Sequence, residues 1–241
     1  MTMLIDSMVE RAKADKKTIV LPEGHDDRIL AAAEETLKQG IANLVILGDA
    51  EEINAKGYNL EGAEIINPAT SDKVDEFASL LFELRKKKGM TEEEARELVT
   101  KDNIYFATMM VKTGQCDGLV GGASCATVKI LSPALKVLKT APGAPMVSSL
   151  FLMEVPNCDL GENGVFAFAD CALEIQPTAE KLAHIANLTN QSFKRLLGKE
   201  ARIALLSHSS HGSAKNDDAQ KVVDAMTYIK ENYPDLNADG E

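Results

Sequence analysis

The segment "DGLVGGASCATVKILSPALKVLKT" (residues 117–140) is built as loops that hold anions often are. A short apolar run leads into Gly121 and Gly122, then Ser124, Cys125 and Thr127, and then a helical pattern. Three uses suit those residue types at that spacing. The cysteine or a hydroxyl could be a covalent nucleophile, the backbone N–H groups of Gly122 and Ala123 with their neighbouring hydroxyls could cradle a phosphate, or the glycines could simply make a tight turn. Two further loops have the same character: "PEGHDDR" (residues 22–28), and "SHSSHGSAKN" (residues 207–216), which carries Ser207, Ser209, Ser210 and Ser213.

Standard catalytic templates are missing. No glycines follow the G-x-G-x-x-G spacing of dinucleotide sites, and there is no G-x-x-x-x-G-K-[ST] phosphate loop. H-E-x-x-H and G-x-S-x-G are absent too, which turns the reading away from zinc hydrolysis and from a hydrolase triad. His25, His184, His208 and His211 fall in unrelated segments and read as surface or structural histidines. Cys116, Cys125, Cys158 and Cys171 form no C-x-x-C pair, so reduced thiols are expected rather than a metal ribbon or a redox dithiol.

The elements that must position these loops alternate between strand and helix. "KTIVLP", "ANLVILG", "AEIINP", "CDGLVGG", "PMVSSLFLME", "GVFAFAD" and "ARIALLSHS" read as strands, most of them separated by helical segments. Near-continuous apolar strands of this kind imply helices on both faces of a largely parallel sheet, an α/β class in which ligands bind beyond the carboxyl ends of the strands. Residues 27–40 predict a helix closed by Gly40, and Thr91 with Glu94 predicts a capping box. Residues 71–89 predict a helix ending in Arg85, Lys86, Lys87 and Lys88. On charge alone, that cluster is a cationic helix terminus.

The break at "TAPGAPMVSS" predicts a boundary near residue 145, giving domains of 1–145 and 146–241. Residues 215–241 read as a crossover helix with no strand after it. The second domain is therefore expected to be incomplete, and the first to be completed by residues that follow.

Composition sets the remaining bounds. A formal net charge of −11 opposes a nucleic-acid surface, so an anionic ligand must be met by local donors. No apolar run is long enough to span a membrane, and the N-terminal 17 residues carry acidic groups on an amphipathic pattern. A cytoplasmic protein is expected.

The chain resembles the phosphate acetyltransferase (phosphotransacetylase) family. The similarity lies in "TIVLPEGHDDRILAAAE", "LFELRKKKGMT", "YFATMMVKTGQCDGLVGGA", "PALKVLKTAPGAPMVSSLFLMEVPNCDLGENGVFAFADCAL", "QPTAEKLAHIA" and "LLSHSSHGSAKNDDAQKVVDA", in the family's order and over nearly the whole chain. It implies a two-domain α/β protein with parallel or mixed sheets, of the isocitrate/isopropylmalate dehydrogenase-like type. The implied reaction is reversible acetyl transfer between coenzyme A and phosphate in a cleft between domains, giving acetyl phosphate, with coenzyme A as substrate and no cofactor or metal. A cytoplasmic homodimer coupled metabolically to acetate kinase is also implied. Family chains run on for roughly another third and carry their proposed aspartate base there, so the 241 residues by themselves are expected to turn over little substrate.

Carried over residue by residue, Arg85 matches the family's substrate-binding arginine and is the catalytic candidate. Gly122, Ala123, Ser124, Thr127, Lys129, Ser132, Ser207, Ser209, Ser210 and Ser213 are the candidates for substrate binding. Cys158 matches a family cysteine near the active site, and an unreactive buried thiol is its simplest reading. The chain departs from the family's G-A-x-H-[ST]-T pattern and its Arg-Pro pair: Cys125 stands for histidine, Ala126 for a small hydroxyl residue, Lys129 for an acid and Ser132 for arginine. The alternative reading is a non-catalytic or altered-specificity relative that binds coenzyme A or an acyl phosphate.

Overall fold

The computed structural model describes residues 3–241, so Met1 and Thr2 of the N-terminal amphipathic pattern lie outside the described residues. The chain divides into two compact units, the second beginning at Thr140.

In the first unit, α1 (Met3–Ala14) leads to β1 (Thr18–Leu21), α2 (Asp27–Gln39), β2 (Asn43–Leu47), α3 (Ala50–Ala55) and β3 (Glu64–Ile66). Then come α4 (Val74–Arg85), α5 (Glu92–Lys101), α6 (Asn103–Lys112), β4 (Gly118–Leu119) and α7 (Thr127–Val137). Local signals set the helix ends. Gly40 closes α2 with φ 68°, a left-handed conformation that costs glycine nothing. Thr91 and Glu94 form the reciprocal capping box at the start of α5.

The four strands form a parallel sheet in the order β3-β2-β1-β4. Alternate strand residues feed two cores, because successive side chains leave opposite faces. Val20, Val45 and Leu47 join Phe77, Leu81 and Phe106 on one side. Leu21, Leu44 and Ile46 join Leu30, Ala33 and Ile53 on the other. Phe77 and Phe106, both fully buried, meet edge to face at 5.0 Å. With both faces covered, the strands must be apolar throughout, which is why their sequences do not alternate.

The order has one functional consequence. From β1 the chain builds outward through β2 and β3, then returns to place β4 on the other side of β1. The strand order therefore reverses between β1 and β4, and the loops leaving their carboxyl ends flank the crevice where such sheets take ligands.

The second unit contains β5 (Leu150–Glu154), β6 (Val165–Ala169), α8 (Ala179–Leu197), β7 (Ile203–Ala204), α9 (Asp217–Asn232) and β8 (Ala238–Asp239). β5 and β6 pair antiparallel, so the strands of the whole chain are mixed in direction. Helices α8 and α9 pack on each other through Ala183, Ala186, Val222, Ala225 and Ile229. The expectation that no strand follows α9 is corrected: β8 pairs parallel with β7, Ile203 opposite Ala238 and Ala204 opposite Asp239. The polar run "DLNADGE" hid this return, because a two-residue edge pairing needs no apolar pattern. Among the described residues no helix is long and apolar enough to cross a membrane.

Candidate functional site at the strand reversal

The loop from β1 to α2 is held at almost every residue. Asn103 Nδ2 donates to the Pro22 carbonyl at 3.0 Å. The Gly24 N–H donates to the Leu47 carbonyl at 3.2 Å, and a Cβ at Gly24 would stand 2.6 Å from that oxygen, so only glycine fits there. Lys56 Nζ donates to the His25 carbonyl and to Asp27, both at 2.8 Å. Asp26 caps α2 by accepting from the Arg28 N–H at 2.9 Å.

Glu23 projects from this loop into the turn that follows β4, and it is only 3% exposed. Its Oε2 accepts from the N–H groups of Gly122 at 2.6 Å and Ala123 at 2.9 Å. Its Oε1 accepts from the Ser124 N–H at 2.8 Å and the Ser124 hydroxyl at 2.6 Å. Successive N–H groups converging in this way form a nest for an anion, helped here by Gly122 at φ 109°. Burial opposes ionisation of Glu23, but the Ser124 hydroxyl and the three N–H groups outweigh it and hold the carboxyl down at about 2. The turn thus already holds an anion, and that anion is the protein's own side chain.

Two other groups of the β1–α2 loop reach the same turn. His25 Nε2 lies 3.0 Å from Ser124 Oγ. The Arg28 guanidinium grips Asp26 through Nε at 3.0 Å and Nη2 at 2.6 Å, and Nη2 also donates to the Ala123 carbonyl. Reading the sequence did not single out Glu23, His25 and Arg28, which the fold places against this turn. The available signal was their position directly after the first strand of a parallel sheet, where the strand order reverses.

The structure thus brings Gly122, Ala123 and Ser124 together around Glu23. Thr127 is the exposed first residue of α7, and Ala126 before it supplies no side-chain cap. Lys129 is exposed on the first turn of α7, and Ser132 is half-buried within the same helix. Burial, then the charge of Glu23, pushes the Cys125 thiol up, away from the thiolate form a nucleophile needs. Cys116 is buried, and burial pushes its thiol up to about 11.

Arg85 ends α4 and is half-buried; its Nε is buried and has no hydrogen-bond partner. A buried guanidinium N–H without an acceptor is costly, and an incoming oxyanion is the acceptor it suits best. No hydrogen bond joins Arg85 to the turn around Glu23.

In the second unit the four serines cluster in the loop between β7 and α9. Ser207 Oγ accepts from the Ser209 N–H at 2.9 Å, and Ser213 Oγ accepts from the Ser210 N–H at 2.8 Å. The Ser209 and Ser213 hydroxyls lie 3.4 Å apart. The Glu241 carboxylate sits against this loop, accepting from the Gly212 N–H at 2.7 Å and the Ser207 hydroxyl at 3.3 Å. Those bonds, led by Gly212, hold its carboxyl below the usual carboxylate range. An open hollow of about 650 Å³ borders Glu241 and is lined by His211, Lys215 and Asn216 among others. Among the described residues no group of three His, Cys, Asp or Glu side chains is placed to hold a metal ion.

A parallel sheet with a strand reversal, and an arginine whose buried Nε has no partner, define an α/β protein with a donor to offer an anionic ligand. Comparison with known proteins narrows that class. Residues 3–241 match the family model described as phosphate acetyl/butaryl transferase, and the chain belongs to that family. It is 53% identical over 240 residues to a phosphate acetyltransferase of Thermoanaerobacterium thermosaccharolyticum, covering 99% of this chain and 73% of that one. It is 48% identical to the phosphate acetyltransferase of Acetivibrio thermocellus, covering 98% and 72%. The fold matches the crystal structure of a phosphotransacetylase from Streptococcus pyogenes with a TM-score of 0.90 and 36% identity, over 100% of this chain and 73% of that one.

Proposed function

We propose that the protein is a phosphate acetyltransferase, moving an acetyl group reversibly between coenzyme A and inorganic phosphate. The observation that carries this reading is the 53% identity to a phosphate acetyltransferase across almost the whole chain. Acetyl is preferred over butyryl because the similar relatives at 45 to 53% identity are all phosphate acetyltransferases.

In the direction of acetyl phosphate synthesis, a phosphate oxygen attacks the thioester carbonyl, the C–S bond breaks, and the thiolate of coenzyme A leaves and is protonated. The protein must hold phosphate, neutralise its charge and meet the oxyanion that develops on the carbonyl. Arg85 is the proposed phosphate ligand, supported by its buried Nε without a partner. Ser207, Ser209, Ser210 and Ser213 are proposed to offer donors to a substrate anion, a role supported by their clustering in one loop after β7. Thr127, Lys129 and Ser132 are proposed contacts along α7.

The backbone N–H groups of Gly122 and Ala123 and the hydroxyl of Ser124 act on substrate only indirectly under this reading, since Glu23 takes them all. A cytoplasmic homodimer working alongside acetate kinase is part of the proposal. The test is phosphate-dependent consumption of acetyl-CoA by the purified full-length protein. A well-folded sample that consumes none would sink the assignment.

A further inference from the structure

Four groups converge on Glu23 and fill both of its oxygens: three backbone N–H groups, which can only donate, and the Ser124 hydroxyl. Three backbone N–H groups and the hydroxyl converging on one carboxyl favour its charged form and hold it well below the usual range, so Glu23 is the carboxylate. That fixes the direction of the next bond. The single Ser124 hydroxyl proton is committed to Glu23 Oε1, so at its other side Ser124 Oγ can only accept. His25 Nε2, 3.0 Å from that oxygen, must therefore carry the hydrogen.

We infer that Glu23 and Ser124 are positioning residues that keep a hydrogen on His25 Nε2, so that in the neutral ring Nδ1 is the acceptor at the strand-reversal crevice for a hydrogen-bond donor of the coenzyme. The placement supports a ligand role. The loops leaving β1 and β4 are the two that border this crevice, and the relay bridges them across 99 residues of sequence. The backbone under His25 is fixed as well, since Lys56 holds its carbonyl at 2.8 Å while the side chain stays exposed.

The choice between substrates follows from polarity. Phosphate and acetyl phosphate present mainly acceptor oxygens, which a neutral Nδ1 lone pair repels. Coenzyme A carries amide N–H groups, a hydroxyl and a thiol, any of which the lone pair can receive. The assignment of the ligand to coenzyme A rests on the acetyltransferase reading above, whereas the tautomer does not. The same geometry excludes phosphate from the turn, because its nest is already full.

Two measurements on the purified protein test this. Long-range proton–nitrogen NMR correlations of His25, recorded where the ring is neutral, are expected to show one tautomer with the hydrogen on Nε2. Ser124→Ala, which keeps the three N–H bonds to Glu23, is expected to lose that single pattern and show a mixture, and Glu23→Gln to do the same. An Nδ1–H ring in the wild type, or an unchanged pattern in Ser124→Ala, overturns the relay. In calorimetric titrations with coenzyme A, His25→Ala is expected to bind about five- to tenfold more weakly, the loss of roughly one hydrogen bond. Its affinity for inorganic phosphate is expected to stay unchanged. Unaltered coenzyme affinity, or an equal loss toward phosphate, overturns the ligand role. If the wild type binds no coenzyme, the acetyltransferase reading falls with that role, while the NMR result still decides the relay by itself.

Discussion

Glu23 meets Ser124 twice, accepting from its N–H at 2.8 Å and from its hydroxyl at 2.6 Å. With Gly122 and Ala123 bound as well, one side chain from the first strand's loop organises the whole turn after the fourth strand. The turn is therefore a piece of internal architecture where the strand order reverses, and its donors are already taken by Glu23.

Removing that carboxylate should be costly. Glu23→Ala leaves three N–H groups and a hydroxyl without their acceptor, and unsatisfied buried donors cost about 1–3 kcal/mol each, less where water enters. A total loss of about 2–4 kcal/mol is expected in urea unfolding. A loss under about 0.5 kcal/mol would show that the nest contributes nothing to the fold.

Stability should also fall in acid through this group. Glu23 is held at about 2 in the folded protein against an ordinary value of 4.5. A carboxyl depressed on folding adds stability that is fully present above its unfolded value and is lost as pH falls toward the folded one. The loss is expected between about pH 4.5 and 2, on the order of 3 kcal/mol. Glu23→Gln should flatten the unfolding free energy across that window relative to wild type. Parallel pH curves for the two proteins would refute the linkage.

Much of the scaffold around this site was legible in the sequence. The apolar runs of β1 and β2 announced strands buried on both faces, Gly40 announced the end of α2, and Thr91 with Glu94 announced the start of α5. Direction was harder to read. β5 and β6 are as apolar as the parallel strands, and apolar content does not distinguish parallel from antiparallel pairing. At the site, the small polar residues of the β4–α7 turn were visible, but their partner was not. Glu23 lies about 100 residues away and looks like a surface acid after a strand, and only the placement of β4 beside β1 turns it inward. His25 is illegible for the same reason: its contact with Ser124 spans 99 residues.

Arg85 separates binding from folding. Its buried Nε bonds to nothing in the protein, so Arg85→Ala should change the unfolding free energy by about 1 kcal/mol or less. The KM for phosphate should rise about tenfold or more, the loss of a charge-assisted contact. An unchanged KM in a folded variant would remove Arg85 from the site.

Cys125 provides a contrast. With its thiol pushed up by burial and by Glu23, it should be alkylated by iodoacetamide at pH 7.5 more slowly than free cysteine. Cys125→Ser should retain activity within about twofold. Loss of more than about a hundredfold would revive covalent catalysis at this position.

The central claim is tested most directly by following acetyl-CoA in the presence and absence of phosphate with the purified full-length protein. The account predicts loss of acetyl-CoA above the buffer control only when phosphate is present, with coenzyme A and acetyl phosphate formed in equal amounts. A folded protein whose rate matches the buffer control, or one that consumes acetyl-CoA equally well without phosphate, would contradict it.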